Sequence, residues 1–451
     1  MATSRSVLFS TAAAAALFAG LCATPANAAE NPLDGISVST SALGSVNSYI
    51  QNHPTEFGGS YLDEQTHTLH VLTVAGATAL KAQHNLADLA TRPAAADARP
   101  ESAEPEWTVS TQVARYSMAT LLETRDEVSR VFAREAGDNL AIWYADPRTD
   151  TVHIGLNKVT PRLVNLASEA FGDRVTVTQE ERHQTMEKRI KVTGPVSYSH
   201  RMPELRDAGT AKSSALASAA ASTPTRLLDS VPYAGGDRIV STQTIDGDTY
   251  VIQCTVNFDF VASGGPAMGT AGHCGPTGVS WRQGYYDDST QTIHYTGTMG
   301  SAYARIWGNG KSDAELLDDT GNAYGFWPQV YTTSTALEDV GSVSPVSVGQ
   351  KICADGSFTL QSCYGMVRAT NVCENVNDDG TIVKVCNLDV ADGVGGTLVQ
   401  PGDSGGPVYT SGNPHHPLGI ISAGSADGLT LDFADMGSVD ITLNAYPESS
   451  S

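Results

Sequence analysis

Apolar positions change their period along this chain. Residues 110–135, STQVARYSMATLLETRDEVSRVFARE, repeat them at helical spacing with charges on the other face, which predicts a helix. NLAIWYADPRTDTVHIGL (139–156) predicts two strands around an Asp-Pro turn. TPRLVNLASEAF (160–171) predicts a second helix, with Thr160 as its cap and Pro161 in its first position. DRVTVTQ (173–179) predicts a further strand, so residues 29–206 read as an α+β unit. Residues 207–230, DAGTAKSSALASAAASTPTRLLDS, hold no sustained apolar face and predict an exposed, cleavable linker. From 231 to 451 the period shortens to two. TYVIQCTVNFDFV, TQTIHYTGTMG, YGMVRATNV and GTIVKVCNLDV alternate with Gly, Asn and Asp turns, which predicts an all-β sandwich or barrel.

Residues 1–28 stand apart. Arg5 precedes a short apolar run, and Ala26-Asn27-Ala28 has the small-x-small form of a signal-peptidase site, so this segment predicts export. No later stretch is apolar enough to span a membrane. Of seven cysteines, Cys22 falls within the signal and the other six all lie after residue 253. An even number in an exported chain predicts three disulfides. Charge is also uneven. Residues 229–451 carry 25 acidic and 7 basic side chains, against 24 and 19 in residues 30–228. So acidic a domain should avoid nucleic acid and anionic membrane.

The stretch VQPGDSGGPVY (399–409) places Ser404 between an Asp and two glycines. A serine hydroxyl needs a general base to attack an amide at neutral pH. GTAGHCG (269–275) offers His273, and a bridge between Cys254 and Cys274 would hold its loop still. KSDAELL (311–317) offers Asp313, leading into a short apolar strand, to orient the imidazole; Asp318 and Asp319 are alternatives. The backbone N–H groups of Gly402 and Ser404 suit an oxyanion. No metal-ligand spacing appears: His415 and His416 read as an exposed loop, and no cofactor is called for.

TAGHC, then an Asp, then GDSGGP together resemble the chymotrypsin-like serine proteases, and within them the streptogrisin and α-lytic protease branch. The catalytic resemblance covers residues 231–446; FGGSYLDEQTHTLHVLTV (57–74) and the α+β unit resemble that branch's pro-region. The resemblance implies a double six-stranded antiparallel β-barrel preceded by a pro-region that assists folding and plugs the cleft. It implies a secreted, monomeric endopeptidase acting on proteins or peptides, with His273, Asp313 and Ser404 as its triad. Ser422, Ala423 and Gly424 correspond to the edge against which relatives pair substrate backbone. Basic-specific relatives carry an acid where this chain has Leu398, and acid-specific ones a His where it has Ile421. The implied preference is an apolar or aromatic residue before the cut.

The implied pairings are Cys254–Cys274 and Cys353–Cys363. Cys373 and Cys386 flank a hairpin that turns at Asp378-Asp379-Gly380, and their bridge would stiffen the pocket wall. Two features depart from the branch. Asp403 lacks the usual Arg, since Ala354 stands there, leaving Arg368, Arg305 or a new N-terminus as partners. Maturation falls near YAGG (233–236) or RIVS (238–241). A non-catalytic binding protein on the same fold and a serine esterase are the other readings; comparing amide with ester turnover separates them.

Overall fold

A computed structural model describes residues 31–91, 106–201, 224–319 and 325–450. The expected signal segment lies outside them. Two closed antiparallel barrels form the C-terminal half. The first is built from β1 (Arg238–Ile245), β2 (Asp248–Thr255, continuing past a bend as Asp259–Ala262), β3 (Gly265–Thr270), β4 (Ser280–Asp287), β5 (Thr292–Ile306) and β6 (Ala314–Asp318). Around the ring β1 pairs with β2, β2 with β3, β3 with β6, β6 with β5, β5 with β4, and β4 returns to β1. The second uses β7 (Lys351–Gly356), β8 (Leu360–Asp378), β9 (Thr381–Gly393), β10 (Pro407–Tyr409), β11 (Pro417–Gly424) and β12 (Thr430–Asp435). Its ring runs β7, β10, β11, β12, β9, β8 and back to β7. Closure removes the unpaired edges that an open sheet would expose.

Alternation explains the cores. Ile252, Phe258, Phe260, Met268, Trp281 and Leu316 are buried within the first barrel's cluster, and Ile421, Leu431 and Phe433 fill the second. Each such side chain contributes about 1.5–3 kcal/mol relative to exposure. The three disulfides join the pairs expected: Cys254–Cys274, Cys353–Cys363 and Cys373–Cys386. The β8–β9 hairpin turns where Asp379 and Gly380 adopt positive φ. The Cys373–Cys386 bridge serves a different place from the pocket wall. It packs with Trp143 and Leu121 of the N-terminal half, because Cys373 faces Trp143 across a strand pair.

The N-terminal half has two α+β parts. In the first, helices Thr40–Gln51 and Ala77–Ala90 share a core with strands Phe57–Asp63, Thr68–Thr73 and Trp107–Val113. In the second, helices Met118–Glu135 and Pro161–Phe171 cover strands Leu140–Asp146, Thr151–Leu156 and Val175–Gln179. Thr160 caps the latter helix and Pro161 opens it, as read from the sequence. The helix expected over 110–135 starts later. Trp107–Val113 is a strand that pairs in parallel with Thr68–Thr73, and Ser117 caps the helix that follows.

The linker expectation divides. Residues 207–223 lie outside the described residues. Residues 225–230 belong to the barrel half instead: Arg226, Asp229 and Ser230 are buried. Arg226 donates two 2.8 Å bonds to the Asp355 carboxylate and others to the carbonyls of Gly356 and Tyr331. Tyr233–Gly235 pairs with Phe326–Tyr331, so YAGG is strand backbone, and RIVS opens β1 with Ile239 buried.

Candidate active site

The cleft lies between the barrels. His273 sits on the short turn Gly272–Cys274 that follows β3, and the Cys254–Cys274 bridge ties this turn to β2. Asp313 immediately precedes β6. Its Oδ2 lies 2.6 Å from His273 Nδ1, and its Oδ1 accepts from the His273 backbone N–H at 3.0 Å. Two contacts fix the ring and place its remaining hydrogen on Nδ1, leaving Nε2 as an acceptor. Ser404 Oγ lies 2.6 Å from that Nε2. The structure thus brings together the three residues singled out in the sequence. Asp318 instead accepts from the Ser301 backbone at 2.9 Å, in the β5–β6 region of the barrel. Burial disfavours a charged imidazole, but Asp313, helped by Glu187 and Asp378, outweighs it and raises the His273 pKa above its ordinary value.

Ser404 is held from behind. Its carbonyl accepts from Thr255 N–H, and Gly402 and Gly405 adopt φ of +111° and +89°. Other residues would be strained there, and a Cβ on Gly405 would meet Thr255 O at 2.2 Å. Asp403 meets neither of the two arginines expected for it. Arg368 pairs with Glu180, and Arg305 reaches Gly272 O and Glu315. The Asp403 carboxylate instead accepts from the backbone of Phe358, Thr359 and Gln400 and from Thr359 Oγ1. Burial nonetheless pushes its pKa up.

Ser422 does more than line the edge strand, since its hydroxyl donates to Asp313 Oδ2 at 2.6 Å. Leu398 is fully buried in one cluster with Ile421, Val399 and, unexpectedly, Met186. Met186 belongs to the N-terminal half. It directly follows a strand pairing that no sequence signal announced. Gln184–Thr185 runs antiparallel to β11, with Thr185 opposite Ala423 and Gln184 opposite Gly424. Met186 N donates to Ser422 O, and the Met186 carbonyl accepts from Gly402 N at 2.5 Å and Ser404 N at 3.2 Å. A Cβ on Gly424 would stand 3.1 Å from Met186 Cε, so Gly424 leaves room for this side chain. Glu187 follows, with Oε2 3.5 Å from His273 Nε2. Residues 184–187 therefore cross the cleft, entering it as the strand Gln184–Thr185. The Met186 carbonyl lies between the two N–H groups predicted to hold an oxyanion.

Upstream, His183 is buried between Asp432 on β12, at 2.7 Å, and Glu374 on β8, at 3.3 Å. Downstream, Lys188–Val192 adds to β2, and Ser197–His200 runs parallel to β5. His415 is buried against Tyr409 and Glu338 rather than exposed, because the loop folds back on Val340–Gly341. No helix among the described residues is long and apolar enough to cross a membrane.

Comparison with protein-family models gives no match, and comparison with curated proteins gives none either. Solved structures do align. Nocardiopsis protease is 23% identical with a TM-score of 0.36, Thermobifida fusca protease A 18% with 0.37, and a Cellulomonas bogoriensis chymotrypsin 22% with 0.36. Each alignment covers 48% of this chain and 98% of the other. The fold of residues 238–435 stands on its own strand order, and that order is the chymotrypsin-like double barrel.

Proposed function

We propose that the chain is a secreted serine endopeptidase, made as a precursor whose N-terminal half blocks the cleft. The observation that carries this reading is the alignment of Asp313, His273 and Ser404 beneath a backbone carbonyl already seated on the Gly402 and Ser404 amides. His273 Nε2 takes the Ser404 proton as Oγ attacks the substrate carbonyl. The two amides hold the oxyanion, and each such donor contributes about 3–4 kcal/mol to lowering the barrier. The imidazolium, stabilised by Asp313, then protonates the departing amine, and water releases the acyl group by the reverse path. No metal or cofactor enters this scheme.

Residues 184–187 are the natural guide to the substrate. An extended peptide adds to β11 as a strand, and its side chain before the cut enters the pocket of Leu398, Val399 and Ile421. Met186 fits there, in keeping with an apolar preference. The same segment blocks other peptides, and the Met186–Glu187 bond is its natural first cut. The N-terminal half also gives the long-range β topology a folding template. Because residues 225–237 are part of the barrel half, the cut that frees the mature chain falls before Thr225.

The test is mass-spectrometric peptide mapping of the secreted protein after treatment with a fluorophosphonate. A single adduct on Ser404, lost in Ser404→Ala, together with a new N-terminus upstream of residue 225, is the expected result. A correctly processed chain without an adduct overturns the reading.

A further inference from the structure

His183 precedes Met186 by three residues and is anchored by the catalytic half, not by its own. Its backbone carbonyl accepts from Asn377 N–H at 2.9 Å, so residues 183–184 lie along β8 while residues 184–185 lie along β11. Its imidazole contacts Asp432 and Glu374, and all three side chains are buried. The other cation near these carboxylates, Arg368, is engaged by Glu180 at 3.2 Å and Asp392 at 3.6 Å. The second barrel thus offers two buried carboxylates to the residue four positions upstream of the cut. Two carboxylates without a cation repel each other and resist burial. Burial and Asp432 already push Glu374 up to about 7 with His183 in place. Neither carboxylate takes part in the chemistry proposed at Ser404.

We propose that Glu374 and Asp432 form a specificity subsite that binds a cationic side chain, histidine above all, on the fourth residue before the cut. Substrates then follow the pattern His-x-x-Met, with cleavage after the Met. Residues 183–187, HQTME, are the first of them. This inference rests on the endopeptidase reading. It adds a second determinant to the apolar pocket: the His183 ring meets Glu374 and Asp432, while Met186 packs with Leu398, Val399 and Ile421.

The test uses the processed wild-type protein and three quenched-fluorescent peptides containing His-Gln-Thr-Met-Glu-Lys, or the same with Ala or Asp in place of His. The His peptide is expected to show a kcat/KM about tenfold above the Ala peptide, the size of a charge-assisted contact in a buried site, and the Asp peptide should fall below both. In E374Q/D432N the ratio between the His and Ala peptides should approach one. Equal kcat/KM for all three peptides with wild-type protein overturns the subsite without any reliance on the variant. Failure to cut any peptide, with no fluorophosphonate adduct on Ser404, overturns instead the reading beneath it.

Discussion

Removal of Arg226 is the perturbation that most directly tests how the barrel half is held. The guanidinium is 1% exposed and its partner Asp355 is 0% exposed. Four hydrogen bonds converge on the guanidinium: two to Asp355 and one each to the carbonyls of Gly356 and Tyr331. Burial raises the Asp355 pKa even while Arg226 pulls it down, so the carboxylate depends on its partner for what stability it has. Arg226→Ala strands that carboxylate in a dry site, and breaking a buried pair in this way costs about 3–5 kcal/mol. For a domain of this size the loss corresponds to a fall in Tm of about 6–20 °C. The measurement is thermal unfolding of the full chain carrying Ser404→Ala, which prevents self-digestion. Arg226→Lys should recover only part, because a point charge cannot make the paired contact. Replacing both partners, as Arg226→Met with Asp355→Leu, should recover most of it. A loss under about 1 kcal/mol for Arg226→Ala would refute the claim that residues 225–230 belong to the fold.

Asp313→Asn should lower kcat about 10⁴-fold without unfolding the protein, by the wrong tautomer argument, and steady-state kinetics on a peptide substrate checks it. Ser422→Ala removes a hydrogen bond to that carboxylate and should lower kcat/KM roughly tenfold. Met186→Asp places a charge in an apolar pocket and should speed fluorophosphonate labelling of the uncut precursor, followed by gel fluorescence; an unchanged rate would mean that residues 184–187 do not guard Ser404. Burial opposes the charge on Glu180, but His153 and Arg368 outweigh it and lower its pKa to about 2, from 4.5. The stability this group lends is present above pH 4.5 and lost as pH falls towards 2. Docking of strand Val175–Gln179 should therefore weaken in that window, read as faster hydrogen exchange, and Glu180→Gln should flatten the dependence.

Local chemistry made half of this site legible. GDSGGP and TAGHC are short because the backbone angles and close contacts they satisfy lie within a few residues, as Gly402 and Gly405 illustrate. Asp313 was legible from its place before an apolar strand. Residues 183–187 were not, since HQTME carries no period and no turn signal, and its meaning comes from β8 and β11, nearly 200 or more residues away. Arg226 was hidden in an Ala- and Ser-rich stretch whose average composition says linker, while one buried cation contradicts it. The helix read over 110–135 overlaps the end of strand Trp107–Val113, because residues 110–113 fit either period until Thr68–Thr73 pairs with them.

The path of residues 140–200 has a mechanical consequence. Upstream of Met186 the chain is stitched to the second barrel, where Leu140–Asp146 pairs with β8. Downstream of Glu187 it is stitched to the first, through Lys188–Val192 on β2 and Ser197–His200 on β5. The uncut chain is an added tether across the joint between the barrels, beside direct contacts such as Asn257 to the Gly406 and Gly419 carbonyls, and it shares any force that would pry them apart. Severing one peptide bond would turn that tether into two separate patches, each still glued to its own barrel. A cut there would therefore loosen the joint before it shed any mass.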